Sequence, residues 1–169
     1  MTKAFRILFA AVFSCVVLTA CSEPRAAKEG EAAIEVAAMT LDGAPVDIDA
    51  YRGKVVLVNF WMTGCGPCLK EMPILDTYYR TNKDRGFEVL GVNMGDSKES
   101  IKFVLKRFKF SFPLLEDPLK ITSERWQVEA LPTSFIIDRQ GIVVRKIVGP
   151  LDEPKLEQEI GRLLDGASI

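Results

Sequence analysis

Val55-Val56-Leu57-Val58-Asn59-Phe60-Trp61 runs through Met62-Thr63-Gly64 into Cys65-Gly66-Pro67-Cys68. A continuous apolar run of this length reads as a central strand buried on both faces. The residues after it read as a helix from Pro67 to about Asn82. Pro67 falls in the first turn, where its missing N–H does no harm. Cys65 therefore sits at a helix N-terminus, where unpaired backbone N–H groups and the helix dipole favour a thiolate. Cys68 follows on the same helical face, within bridging distance. Such a pair at a strand-to-helix junction has the geometry of a reversible dithiol/disulfide.

The remaining cysteines narrow the chemistry. The chain has four cysteines and no histidine. A His general base, a Cys–His nucleophile pair and a His metal ligand are thereby excluded. If the N-terminal leader is removed, only Cys21, Cys65 and Cys68 remain, and a structural zinc site needs about four Cys or His ligands, so no metal site is expected. The bland alternative, two cysteines packed in a core, fits poorly with Gly-Pro between them after a buried strand.

Cys15 and Cys21 lie in an N-terminal segment that reads as an export signal. Lys3 and Arg6 precede an apolar run from Ile7 to Leu18, which ends in Leu18-Thr19-Ala20-Cys21. About a dozen residues are too few for a membrane span, which needs about 20, and they suit a signal h-region. The ending resembles the lipobox of bacterial lipoproteins. That resemblance implies a signal peptide over residues 1–20, cleavage before Cys21, and a lipid anchor on Cys21. The alternatives are an uncleaved anchor or plain secretion, and all three place the domain outside the cytoplasm. Residues 21–33 then form the lipidated cysteine and a small, charged, flexible spacer. In an exported compartment most disulfides are structural. A mature chain with one Cys-x-x-Cys pair and no other bridge partner is better suited to handling disulfides than to being stapled by them.

Residues 34–169 have the length of a single domain. The net charge of −1 gives no reason to expect nucleic acid as a partner. Ile34 to Met39 reads as a first strand, and Leu41-Asp42-Gly43-Ala44-Pro45-Val46 as a hairpin turn. Phe87 to Asn93 is a second buried strand. Asp96 and Glu99 form a capping-box pattern, followed by Ile101, Val104, Leu105 and Phe108 at helical spacing, with a solvated lysine face. Asp117-Pro118 reads as the start of a short helix ending near Trp126. Thr133 to Asp138, the turn Arg139-Gln140-Gly141, and Ile142 to Val148 read as an antiparallel hairpin. Asp152 caps a last helix with Leu156, Ile160, Leu163 and Leu164 on one face. The order predicts an α/β fold with a mixed sheet covered on both faces.

The segment from Val58 to Pro73 resembles the active site of the thioredoxin superfamily. Its Lys70-Glu71-Met72-Pro73 tail resembles the TlpA/ResA-like branch of exported, membrane-tethered members. The resemblance continues through Gly91 to Ser97, Phe112 to Asp117, and Ala130 to Asp138. It implies a thioredoxin-like fold with an N-terminal hairpin extension and an inserted helix after the second core strand. It implies an extracytoplasmic thiol–disulfide oxidoreductase, a protein-disulfide reductase in the expected direction, with the Cys65–Cys68 disulfide in place of any cofactor. Substrates in this family often include apocytochrome c during cytochrome c maturation, and a membrane thiol reductant regenerates the dithiol.

Residue by residue, Pro132 matches a cis-proline that packs, with Leu131, beside the disulfide and presents backbone groups to substrate. Gly66 and Pro67 complete that substrate-facing rim. Glu71 matches an acidic residue near the dithiol that takes a proton from the second thiol; its alternative is a solvated helix residue. Asp96 matches a second acidic position near the site, and capping alone also explains it. Two departures stand out. Gly64 replaces the usual Trp before the first cysteine, which removes an aromatic shelf and leaves the Cys65 thiol more exposed. Asn59 replaces the buried Asp of cytoplasmic thioredoxins, so any proton route falls to Glu71. Two other chemistries compete: a Cu(I)-binding thiol protein, and a peroxidase of the redoxin group. For the latter, Thr63 stands one residue short of the usual Thr-x-x-Cys spacing.

Overall fold

A computed structural model describes residues 26–166. The signal peptide and Cys21 expected from the sequence lie outside the described residues. The apolar run becomes β2 (Val55–Trp61) and the second becomes β3 (Phe87–Asn93), every residue of each buried. The two pair in parallel, Val55 opposite Phe87 and Trp61 opposite Asn93. Between them runs α1 (Gly66–Asn82), the crossover a parallel pair requires. After β3 come α2 (Lys98–Arg107), β4 (Leu114–Glu116) and α3 (Ile121–Arg125). β5 (Thr133–Ile137), β6 (Val143–Val148) and α4 (Glu153–Leu164) complete the chain. With β1 (Met39–Thr40), the six strands lie in the order β1-β4-β3-β2-β5-β6. β4 is parallel to β3; β5 is antiparallel to β2, β6 to β5 and β1 to β4. This is the mixed α/β sheet expected, with β2 and β3 at its centre.

The period-2 alternation of β2 divides the core into two layers. Val55, Leu57 and Trp61 face Met72 and Leu75 of α1, Ile101 and Val104 of α2, and Leu156, Ile160 and Leu163 of α4. Val56, Val58 and Phe60 face the other way, toward Val36, Ala38, Trp126 and Phe135. Phe60, Trp126 and Phe135 meet there at tilted and edge-on angles, with ring centroids 4.9–5.9 Å apart.

Several local expectations change. The first strand shrinks to Met39–Thr40. The hairpin turn after it still forms, with Thr40 N–H donating to the Ala44 carbonyl and Val46 N–H to that of Ala38. Ile34, Val36 and Ala38 instead pack their side chains into the second layer, and the Glu35 carbonyl accepts from Trp126 Nε1. The cap of α2 is Ser97, whose hydroxyl accepts from Ser100 N–H; Asp96 is free for another contact. α3 begins three residues later than Asp117-Pro118 implied, after Lys120 in a left-handed conformation. The buried Asp117 carboxylate still reaches its first turn, accepting from Ser123 N–H at 2.9 Å. β4 was not legible because its three residues carry too short a pattern.

Part of the stretch assigned as spacer, residues 21–33, is held against the domain. Gly30 N–H donates to the Val143 carbonyl, Val143 N–H to Glu31, and Ala33 N–H to Gly141. Ala27 is buried. The segment thus covers the outer edge of β6, where unpaired backbone groups would otherwise face water. Small residues give no hydrophobic signal for such docking, since backbone groups carry it.

Candidate active site

Cys65 and Cys68 stand where β2 hands over to α1. Gly66 and Pro67 form the first helical turn, and Cys65 is its N-cap. The two cysteines are joined by a disulfide, with Cα atoms 5.3 Å apart. Cys68 N–H donates to Cys65 Sγ at 3.2 Å, so the helix start aims a donor at this sulfur. The pair is asymmetric. Cys65 is half-buried, whereas Cys68 is wholly buried against the helical layer. A thiolate on Cys65 meets solvent and the helix dipole together; one on Cys68 meets neither solvent nor the dipole's end.

Glu71 lies one turn along α1 from Cys68, on the same buried face, and is only 4 % exposed. The solvated-residue alternative is therefore excluded. Its Oε1 accepts from Asn59 Nδ2 at 2.7 Å, and its Oε2 from Leu151 N–H at 3.1 Å. Asn59 also donates to Ser134 Oγ at 3.0 Å. Burial pushes the Glu71 carboxyl above the usual carboxylate range, against the two hydrogen bonds, which favour the charged form. Among the described residues no Lys or Arg pairs with it. Asn59, the departure noted in the sequence, thus anchors the carboxylate. Its partner Leu151, eighty residues from Glu71, left no sequence signal because it contributes only a backbone N–H.

The Leu131–Pro132 bond is cis, as the resemblance implied. It leads into β5, whose Thr133 pairs with Phe60 near the end of β2. Pro132 is buried, its carbonyl accepts from Gly149 N–H at 2.8 Å, and Leu131 packs against the same helical layer as Cys65. Asp96 approaches from the other side. Its carboxylate accepts from Thr63 N–H at 2.6 Å and from Asn93 Nδ2 at 2.9 Å, while its own N–H donates to Asn93 Oδ1. It therefore pins the loop that carries Gly64 to the end of β3, a role that neither capping nor acid–base chemistry describes. Among the described residues no group of three or more His, Cys, Asp or Glu is placed to hold a metal ion.

A helix-capping disulfide after the central strand of a mixed sheet, with a cis-proline leading the neighbouring antiparallel strand, defines a thioredoxin-fold dithiol protein. The comparisons agree. The AhpC/TSA family pattern matches residues 30–146. The thiol-disulfide oxidoreductase ResA of Geobacillus kaustophilus is 33% identical over 159 residues, 94% of this chain and 91% of that protein. The thiol:disulfide interchange protein of Chlorobium tepidum superposes with a TM-score of 0.70 at 28% identity, covering 82% of this chain and 99% of the other. The pneumococcal exposed lipoprotein thioredoxin Etrx1 of Streptococcus pneumoniae gives 0.68 at 26% identity, covering 77% and 100%. The chain belongs to the AhpC/TSA family and, within the thioredoxin superfamily, to the ResA-like thiol–disulfide oxidoreductases.

Proposed function

We propose that this protein reduces disulfides of exported proteins outside the cytoplasm, held to the membrane by a lipid on Cys21. The observation that carries the reading is the asymmetry of the dithiol: Cys65 half-open at a helix start, Cys68 buried one turn from a buried carboxyl. In the reduced protein the Cys65 thiolate attacks a substrate disulfide. One new S–S bond forms, the substrate bond breaks, and one substrate thiolate leaves. Cys68 then attacks Cys65 Sγ, which releases the second substrate thiolate and closes the Cys65–Cys68 bridge. Two electrons have passed to the substrate.

Cys68 must lose its proton in a buried place, and Glu71 is the group to take it. Its raised pKa brings it nearer that of a thiol, which eases transfer between the two. Leu131, Pro132, Gly66 and Pro67 form the rim against which the substrate chain lies. No cofactor beyond the disulfide is needed. A membrane thiol reductant returns two electrons for the next cycle. Apocytochrome c, whose haem-attaching cysteines must be reduced before ligation, is the substrate we favour, through the ResA relatives. The lipoprotein named among the similar structures supports the anchor.

Cys68→Ser should accumulate mixed disulfides through Cys65, and Cys65→Ser should abolish insulin reduction. Full activity in Cys65→Ser would remove the nucleophile from this scheme. Tight stoichiometric Cu(I) in the reduced protein, with no disulfide-reducing activity, would replace it with metal binding. A reduction potential near the thioredoxin end, about −270 mV, supports a reductase, and one near about −120 mV reverses the direction.

A further inference from the structure

Beside Cys65 the surface opens into a groove of about 700 Å³, walled by Gly64 and Leu69 on one side and by Phe103, Val104, Arg107 and Phe108 of the α2 region on the other. Two features of it have no structural cause. Gly64 is not in the left-handed region, and a Cβ built on it meets nothing within 4 Å. Neither backbone nor crowding requires a glycine, so the missing side chain simply leaves the groove open. Phe103 is 74% exposed on a helix whose buried face is Ile101 and Val104. It stands outside that stripe, at the groove's rim, and completes nothing in the core.

The groove adjoins the active-site turn, since Thr63 and Gly64 line it and Gly64 is the residue before Cys65. A polypeptide disulfide-bonded to half-buried Cys65 has exposed Gly64 and the groove within reach of the residues that flank its own cysteine. Glu99 and Arg107, both exposed, sit at opposite ends of the α2 wall, so the rim carries no net charge. What remains for recognition is apolar surface. We propose that the groove between Gly64 and α2 receives one large apolar side chain of the substrate polypeptide, close in sequence to the cysteine attacked by Cys65. The occupant is a protein disulfide substrate with such a residue, and Gly64 and Phe103 are specificity-determining residues. The inference rests on the disulfide-reductase reading above.

The test uses the reduced protein and disulfide-linked, alanine-rich peptides with one cysteine each. A single Phe is placed in turn at each of three positions on either side of that cysteine. The small disulfide hydroxyethyl disulfide serves as the control for thiol chemistry. At one or two positions Phe should raise kcat/KM about tenfold over Ala, the scale of one apolar side chain entering a pocket. In Gly64→Trp, which fills the groove, and Phe103→Ser, which removes its rim, that Phe/Ala ratio should fall to within about twofold. Because each variant is judged by a ratio of two peptides, a smaller folded fraction cancels. A ratio within twofold at every position in the unsubstituted protein overturns the groove, as does a ratio that survives in both variants, while hydroxyethyl disulfide is still reduced. Failure to reduce any disulfide overturns the reductase reading, and the groove with it.

Discussion

Replacing Glu71 by Gln isolates the one buried carboxyl at the site. Glu71 is nearly inaccessible, and among the described residues its polar partners are the Asn59 amide and the Leu151 N–H. Burial outweighs both bonds, so its folded pKa lies above the unfolded value of about 4.3. The sign follows. Between the two values the native protein keeps a proton that the unfolded chain has released. Glu71 therefore contributes its full stability below about pH 4.3, and that contribution is lost as pH rises through the folded pKa. One proton sets the steepest slope, about 1.4 kcal/mol per pH unit. The oxidised protein is the right sample, because its bridged cysteines do not titrate. Urea unfolding followed by the fluorescence of buried Trp61 and Trp126 reports the free energy. The wild-type curve should descend above about pH 4.3 and flatten above the folded pKa, and the Glu71→Gln curve should lack that limb. Asp42 and Asp152 do not confuse it. The Thr40 hydroxyl and the Lys155 side chain hold them below the ordinary range, so their contributions are lost as pH falls. Parallel curves for wild type and Glu71→Gln would refute the assignment of Glu71 as a carboxyl raised by burial. The same carboxyl would then have no claim to the Cys68 proton.

Three further outcomes check the architecture around it. Asp96→Ala removes the acceptor of Thr63 N–H and should cost about 1–3 kcal/mol. Faster amide exchange should appear at Thr63 and Gly64, and unchanged protection there would contradict the pinning role. Gly91→Ala places a Cβ 2.7 Å from Leu114 Cδ2 and 3.0 Å from Phe112 Cε2, so overpacking of β3 should cost about 1–3 kcal/mol in urea unfolding; an unshifted midpoint counts against this packing. A chain starting at Ile34 loses the three backbone hydrogen bonds between residues 30–33 and the β6 region. It should be less stable than one starting at Ala26 by about 3 kcal/mol, at about 1 kcal/mol for each bond. Equal midpoints would show that the segment does not cover the edge.

The legible parts of the chain were those in which neighbouring residues decide the outcome. β2 and β3 announced themselves as uninterrupted apolar runs, and α4 by Asp152 followed by an apolar stripe. The hairpin turn was carried by Gly141, which adopts the positive φ that the turn after Asp138 demands. Where two neighbouring residues offered the same cap chemistry, the sequence misled: Asp96 and Ser97 both suit an N-cap, and the helix took Ser97 because Asp96 was engaged by Thr63 across the sheet end. Gly64 was visible as a departure, yet only the position of Phe103 across from it turned a missing side chain into a groove.

A family resemblance supplied the candidacy of Glu71 and Pro132; the residues by themselves determined the order of the strands and helices, short β4 apart, and the placement of the cysteine pair at a helix start. Those depend on periodicity, turn chemistry and spacing, which act over a few residues. Tertiary structure decided the partners. Glu71 is held by Asn59, twelve residues away, and by Leu151, eighty away; Asp96 reaches Thr63; the segment at residues 30–33 reaches β6. A buried polar group must find a donor or acceptor wherever folding brings one. When that partner is a backbone N–H, any residue supplies it, and the sequence carries no trace of the choice.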